Sequence, residues 1–167
     1  MNAMELELGL YDWATLPCRR CESAGHVPGD LLRMARAQTE EEAEPHGIEF
    51  HVIQDSWTTR TAVPVTRALM AGLADRGISP AARHQFLYLL SVFVVVVVVV
   101  DDDDDIAEAC KDAVRTGIWA LYEEVLSGRA KGTAGYAYWL LQDVETVPAR
   151  LERLLLVARD ELPQDLD

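Results

Sequence analysis

From Thr59 onward the apolar residues recur at intervals of three and four. Ala62, Val65, Leu69 and Leu73 form one set; Phe86, Leu89, Leu90 and Phe93 a second; Ile106, Cys110, Ala113, Gly117, Leu121 and Val125 a third. That spacing gathers a stripe on one side of an α-helix, whereas a half-buried strand alternates every second residue. The punctuation agrees. Ser79-Pro80 supplies a cap followed by a proline suited to a first turn, Pro148 opens a last segment, and Gly77, Ser127-Gly128 and Pro163 close others. The pattern predicts helices near 29–37, 59–75, 80–98, 104–126, 133–142 and 147–161. No βαβ alternation appears, and short turns favour antiparallel neighbours. The expected fold is all-α, with six or seven helices stacked as antiparallel pairs.

The rest of the chain is less regular. Residues 1–28 read as an irregular arm, punctuated by Pro17, Gly25 and Pro28 and docked through Tyr11, Trp13 and Leu16. The helical domain is expected over 29–162, with 163–167 as a tail. Thr39-Glu40-Glu41-Glu42 reads as a helix start with a capping box, and Pro45 and Gly47 then interrupt it. Ile48 to Ile53 fits strand or helix. The run Val94 to Asp105 is low in complexity. Its valines favour strand mildly but continue an established helix, so the reading extends the helix into them and gives the aspartates to a solvated turn. In the last helix Leu151, Leu154 and Leu155 are expected in the core, opposite Arg150, Glu152, Arg153 and Arg159.

The chain carries 28 acidic and 15 basic residues, a formal net charge of -13. Residues 95–167 hold the larger share of that charge. Such a surface repels phosphate backbones, which argues against nucleic-acid binding, and an acidic half suits solubility or a basic protein partner. Phe86 to Val100 is apolar apart from Tyr88 and Ser91. At ~15 residues it falls short of the roughly 20 that span a bilayer, and aspartates rather than basic anchors follow it. An N-terminus without a basic and an apolar region, together with an odd cysteine count, points to the cytoplasm.

Two stretches carry a family resemblance. His51-Val52-Ile53-Gln54-Asp55-Ser56-Trp57 with Ala62-Val63-Pro64-Val65, and Ile106-Ala107-Glu108-Ala109-Cys110-Lys111-Asp112-Ala113-Val114-Arg115 with Ile118-Trp119, resemble segments of bacterial HEAT-repeat-like proteins. The resemblance covers about residues 30–160. The chain departs from the pattern at Asp55, where a glycine is expected, and at Pro45-His46-Gly47. What the resemblance implies is an α-solenoid fragment that binds another protein, as an immunity or accessory protein of a bacterial partner does. It implies no catalytic residues.

The sharpest local motif is Cys18-Arg19-Arg20-Cys21 followed by His26. Thiolates three apart can chelate one zinc, but a closed tetrahedral site needs four ligands and Cys110 has nothing to place it nearby. The reading is therefore a loop with two free thiols, no cofactor, and no metal needed for folding. Zinc at Cys18, Cys21 and His26, or thiol redox chemistry, are the alternatives. His26, His46, His51 and His84 show no metal-hydrolase spacing. Glu123-Glu124 reads as a solvated face, and Gly128 to Gly135 matches no phosphate-binding fingerprint. Trp119, Tyr122, Tyr136, Tyr138 and Trp139 are aromatic anchors of the type that serve either core or interface; they are the candidate partner-binding residues. The expected function is non-enzymatic protein binding, with an enzyme or enzyme accessory using a small-molecule pocket between helices as the alternative.

Overall fold

The computed structural model describes residues 1–45, 47–54, 57–96, 104–127, 130–158 and Leu162. These residues are overwhelmingly helical, as the apolar spacing requires. There are more helical segments than six or seven, for two reasons. Short helices form where the pattern is too brief to show a period, and one long stripe divides.

Helix α1 (Ala3–Leu8) lies inside the stretch read as irregular. Asn2 and Glu5 close a capping box around it, with Asn2 Oδ1 accepting from the Glu5 N–H at 2.8 Å and Glu5 Oε2 accepting from the Asn2 N–H at 3.0 Å. Met4 and Leu8, four apart, are buried. Trp13 is buried behind them and donates its indole N–H to Leu8 O at 2.8 Å. A single 3₁₀ turn, Ala24–His26, leads into α2 (Val27–Arg36), which carries Pro28 in its first turn.

Thr39 caps α3 (Glu40–Ala43), accepting from the Glu42 N–H at 3.3 Å. The Glu42 carboxylate reaches back one residue beyond the cap, to the Gln38 N–H at 2.8 Å. Gly47 then takes φ 81°, a left-handed conformation that side chains resist. It sets up α4 (Ile48–Val52), whose first turn hangs on Gly47 O. The ambiguous stretch from Ile48 to Ile53 thus resolves in favour of helix up to Val52. It becomes extended only at β1 (Ile53–Gln54), which pairs antiparallel with β2 (Trp57–Thr58) in the register Ile53↔Thr58 and Gln54↔Trp57.

Helix α5 (Ala62–Leu73) is the centre of the packing: α1, α6 (Pro80–Ser91) and α7 (Asp104–Thr116) all lie against it. Ser79 caps α6, accepting from the Ala82 N–H at 3.0 Å and donating to Ala37 O at 2.6 Å. Past Ser91 the backbone widens into a π segment, Val92–Val96. Residues 97–103 of the valine–aspartate run lie outside the described residues. The stripe expected as one helix over 104–126 is two, α7 and α8 (Ile118–Leu126), divided at Gly117, whose backbone (φ -117°, ψ 22°) leaves the helix. Helix α9 (Lys131–Val144) packs on α6 and α8, and α10 (Pro148–Ala158) on α8.

Phe86, Phe93, Leu69, Leu89, Leu90, Leu121 and Leu140 are fully buried at the middle of the assembly. In α10, Leu154 is buried and Leu151 packs at the core's edge, but Leu155 is 41% exposed. The expectation that Leu155 is a core residue is corrected accordingly. Glu124 is also not a solvated acid. It is 2% exposed and pairs with Arg83 at 3.1 Å, while the same guanidinium donates to Leu73 O and Asp75 O at the end of α5. Among the described residues no helix is long and apolar enough to cross a membrane.

Candidate functional site

The loop that carries Cys18 and Cys21 is fixed at three backbone points. Thr61 Oγ1 donates to Pro17 O at 2.6 Å, the Arg19 N–H donates to His51 O at 3.0 Å, and the Ala24 N–H donates to Leu16 O at 3.0 Å. These anchors lay the loop across α4, and His51, near the end of α4, turns its ring toward both sulfurs. Cys18 Sγ lies 3.1 Å and Cys21 Sγ 3.2 Å from His51 Nδ1, and Cys18 Sγ lies 3.8 Å from His26 Nε2. The two imidazoles meet edge to face, with centroids 4.5 Å apart. The four donor atoms all lie within 4.8 Å of one another. Asp30, one helical turn beyond His26, holds His26 Nδ1 at 2.8 Å. That leaves Nε2 facing the sulfurs.

The electrostatics follow from this crowding. Burial raises the Cys18 thiol, but the two histidine rings, the Arg20 backbone N–H and Cys21 outweigh it and bring it down to about 6. Cys21 moves the other way, chiefly because its thiol proton is held by a hydrogen bond to the Cys18 sulfur, with desolvation and the charge at Cys18 adding to the rise. Partial burial lowers His26, yet Cys18 and Asp30 prevail and raise it above its ordinary value.

Cys18, Cys21 and His26 are the residues of the zinc alternative that the sequence offers beside two free thiols; His51 is not among them. The fourth donor lies 33 residues from Cys18, and no local spacing announces it. Cys110 is not part of the group: it is buried in the core. His46 lies outside the described residues. His26 and Asp30 stand four residues apart, the interval at which side chains on one helix meet.

The five aromatic candidates divide into two groups. Trp119, on α8, is 66% exposed and stands over Tyr122, with centroids 5.2 Å apart. Tyr122 itself is buried and donates its hydroxyl to Glu145 Oε2 at 2.6 Å. Burial and the Glu145 carboxylate both push the Tyr122 phenol up. Burial opposes ionisation of Glu145, but the Tyr122 hydroxyl, the Val147 N–H and Arg150 hold it below the usual carboxylate range. Arg150 also lies 5.4 Å from the Trp119 ring centroid. Trp119, Tyr122 and Arg150, together with Leu126, Ala149, Arg153, Leu154 and Val157, line an open groove of about 310 Å³ between α8 and α10. The second group is on α9, where Tyr136 meets His84, Tyr88 and Trp139 edge to face. Trp139 is 46% exposed, whereas Tyr138 is buried and belongs to the core. A second hollow, between Asn2, α2 and the α5–α6 turn, is lined by neither Cys18 nor His51.

No protein-family model, no curated protein and no solved structure matches the chain.

Proposed function

We propose that this chain is a non-enzymatic protein-binding domain of the α-solenoid kind, docking its partner in the groove between α8 and α10. The observation that carries the reading is the exposure of Trp119 on a well-formed helix, with Leu126 and Val157, which line the same groove and are also exposed. A tryptophan left in water beside other large apolar side chains has the composition of an interface centre. The polar groups on the groove wall are mainly the Arg150 and Arg153 guanidinium groups. The occupant proposed is an amphipathic helix of a protein partner, its apolar face against Trp119 and its carboxylates toward those arginines. The acidic surface elsewhere suits a partner that is basic outside that segment. The successive contacts of α5 with α6 and of α8 with α9 are consistent with the HEAT-like pairing that the sequence resembles. An immunity or accessory role, in which one protein neutralises or carries another, is the form of binding that resemblance implies.

The reading is tested with a photo-crosslinking residue at Leu126 or Val157 and, as control, at exposed Leu10. A single protein captured from the groove positions but not from Leu10, with affinity lowered about tenfold or more by Trp119→Ala, supports it. Equal capture at all three positions, or unchanged affinity in Trp119→Ala with the fold intact, removes the groove as the docking site.

A further inference from the structure

We propose that Cys18, Cys21, His26 and His51 form a structural zinc centre that fastens the N-terminal segment to α4. This centre shares no residue with the docking groove. One imidazole nitrogen carries at most one proton, and a single N–H serves one acceptor well. Yet two sulfurs, those of Cys18 and Cys21, sit within 3.2 Å of His51 Nδ1. A divalent cation at the centre satisfies both sulfurs and both rings at once, and its charge lets both cysteines bind side by side as thiolates.

The geometry suits zinc. Zinc–sulfur bonds of about 2.3 Å and zinc–nitrogen bonds of about 2.0–2.1 Å, set tetrahedrally, separate neighbouring donors by roughly 3.3–3.8 Å. The observed contacts of 3.1, 3.2 and 3.8 Å lie at or near that interval, so small side-chain adjustments close the site. Two thiolates with two imidazoles are the donor set of tetrahedral zinc rather than of magnesium or calcium. The outer shell is also in place. Asp30 accepts from His26 Nδ1, which fixes the tautomer that presents Nε2 to the metal. The Arg19 N–H to His51 O bond and the Thr61 to Pro17 O bond fix the two segments that must converge.

Four protein donors leave no position for water or substrate, which makes the centre structural rather than catalytic. Its effect is to join residues 18–26 to residue 51, across an intervening stretch that holds α2, α3 and the Gly47 turn. Because the donors converge only in the folded chain, metal affinity contributes directly to folding.

The test uses the full chain, purified without chelators and then reduced and stripped. Zinc is measured by elemental mass spectrometry on the purified protein, and cobalt(II) is titrated into the stripped protein. The expected result is one zinc per chain, with an intense tetrahedral cobalt spectrum that includes thiolate charge transfer. Cys18→Ser and His51→Ala should each abolish tight binding. Asp30→Asn should weaken it by about 10–100-fold, and His84→Ala should leave it unchanged. Negligible zinc in both purified and zinc-refolded protein overturns the proposal. So does a weak octahedral cobalt spectrum, or full zinc affinity in His51→Ala. The cobalt spectrum of the unsubstituted chain decides the matter even where a variant fails to fold. Recovery of a Cys18–Cys21 disulfide as the only species, with no metal uptake after reduction, also overturns it.

Discussion

Cys110 and Cys18 carry the same side chain in opposite settings. Cys110 is surrounded by core, and burial pushes its thiol up to about 11, with Thr66 only partly offsetting that. Above the ordinary thiol value of 9.0 the unfolded chain releases this proton while the folded chain retains it. Stability therefore falls as pH rises from about 9 toward 11, by at most about 1.4 kcal/mol for each pH unit climbed. Denaturant midpoints taken at pH 8.5 and 10.5 should drop further in the unsubstituted protein than in Cys110→Ala; equal drops would dismiss the effect. Gly72 makes a second residue-level case. It lies inside α5, where alanine is ordinarily favoured by up to about 1 kcal/mol. Here a Cβ would run into the Phe86 ring and come within 3.3 Å of Met4 Sδ. Gly72→Ala should therefore destabilise by roughly 1–3 kcal/mol, and a raised midpoint in chemical denaturation would contradict the packing described. Neither property was legible in the sequence. Gly72 looked like one more small residue on a helix, and the partner it accommodates lies on α6. Likewise the cluster was three-quarters readable, because Cys18, Cys21 and His26 are local, while His51 arrives only through the turn at Gly47.

Helices were legible where stripe and punctuation coincided. Ser79-Pro80 fixes the start of α6 and Pro148 that of α10, both as expected. The single helix expected over 104–126 failed because Gly117 fits a three-four stripe and also breaks it: the stripe reports which side is buried, not whether the backbone is continuous. The triple leucine of α10 was ambiguous for a related reason. Leu151, Leu154 and Ala158 recur at three and four and turn toward α8, whereas Leu155 stands a further ~100° around the helix, at its edge. Leu154→Ala should cost about 2–5 kcal/mol, as buried leucine truncations do. Leu155→Ala should stay within about 1 kcal/mol. Urea denaturation of the two variants side by side checks the assignment, and reversed effects would mean that α10 is rotated from the orientation described.

At the scale of the molecule, the all-helical class followed from the period of the apolar residues, and Trp13 marked the N-terminal arm as docked, whereas the helix within that arm was not legible. Proline and glycine made residues 1–28 look irregular, and a six-residue helix is too short to show a period. Yet Met4, Leu8 and Trp13 are buried, and α1 packs on α5. Trp13→Ala should therefore destabilise the whole fold by about 3–5 kcal/mol. The expected signature is a lowered midpoint for the far-ultraviolet helical signal, not merely a loss of tryptophan fluorescence. An unchanged helical midpoint would show that the segment is an appendage. The same packing has a consequence for biosynthesis. Helix α1 leaves the ribosome well before its principal partner, α5, which lies about 60 residues downstream. At roughly 5–20 residues per second, Met4, Leu8 and Trp13 wait some 3–12 s in water before α5 emerges to cover them. During that interval the nascent chain presents a small apolar face that chaperones recognise, so the order of synthesis runs opposite to the order in which this core can close.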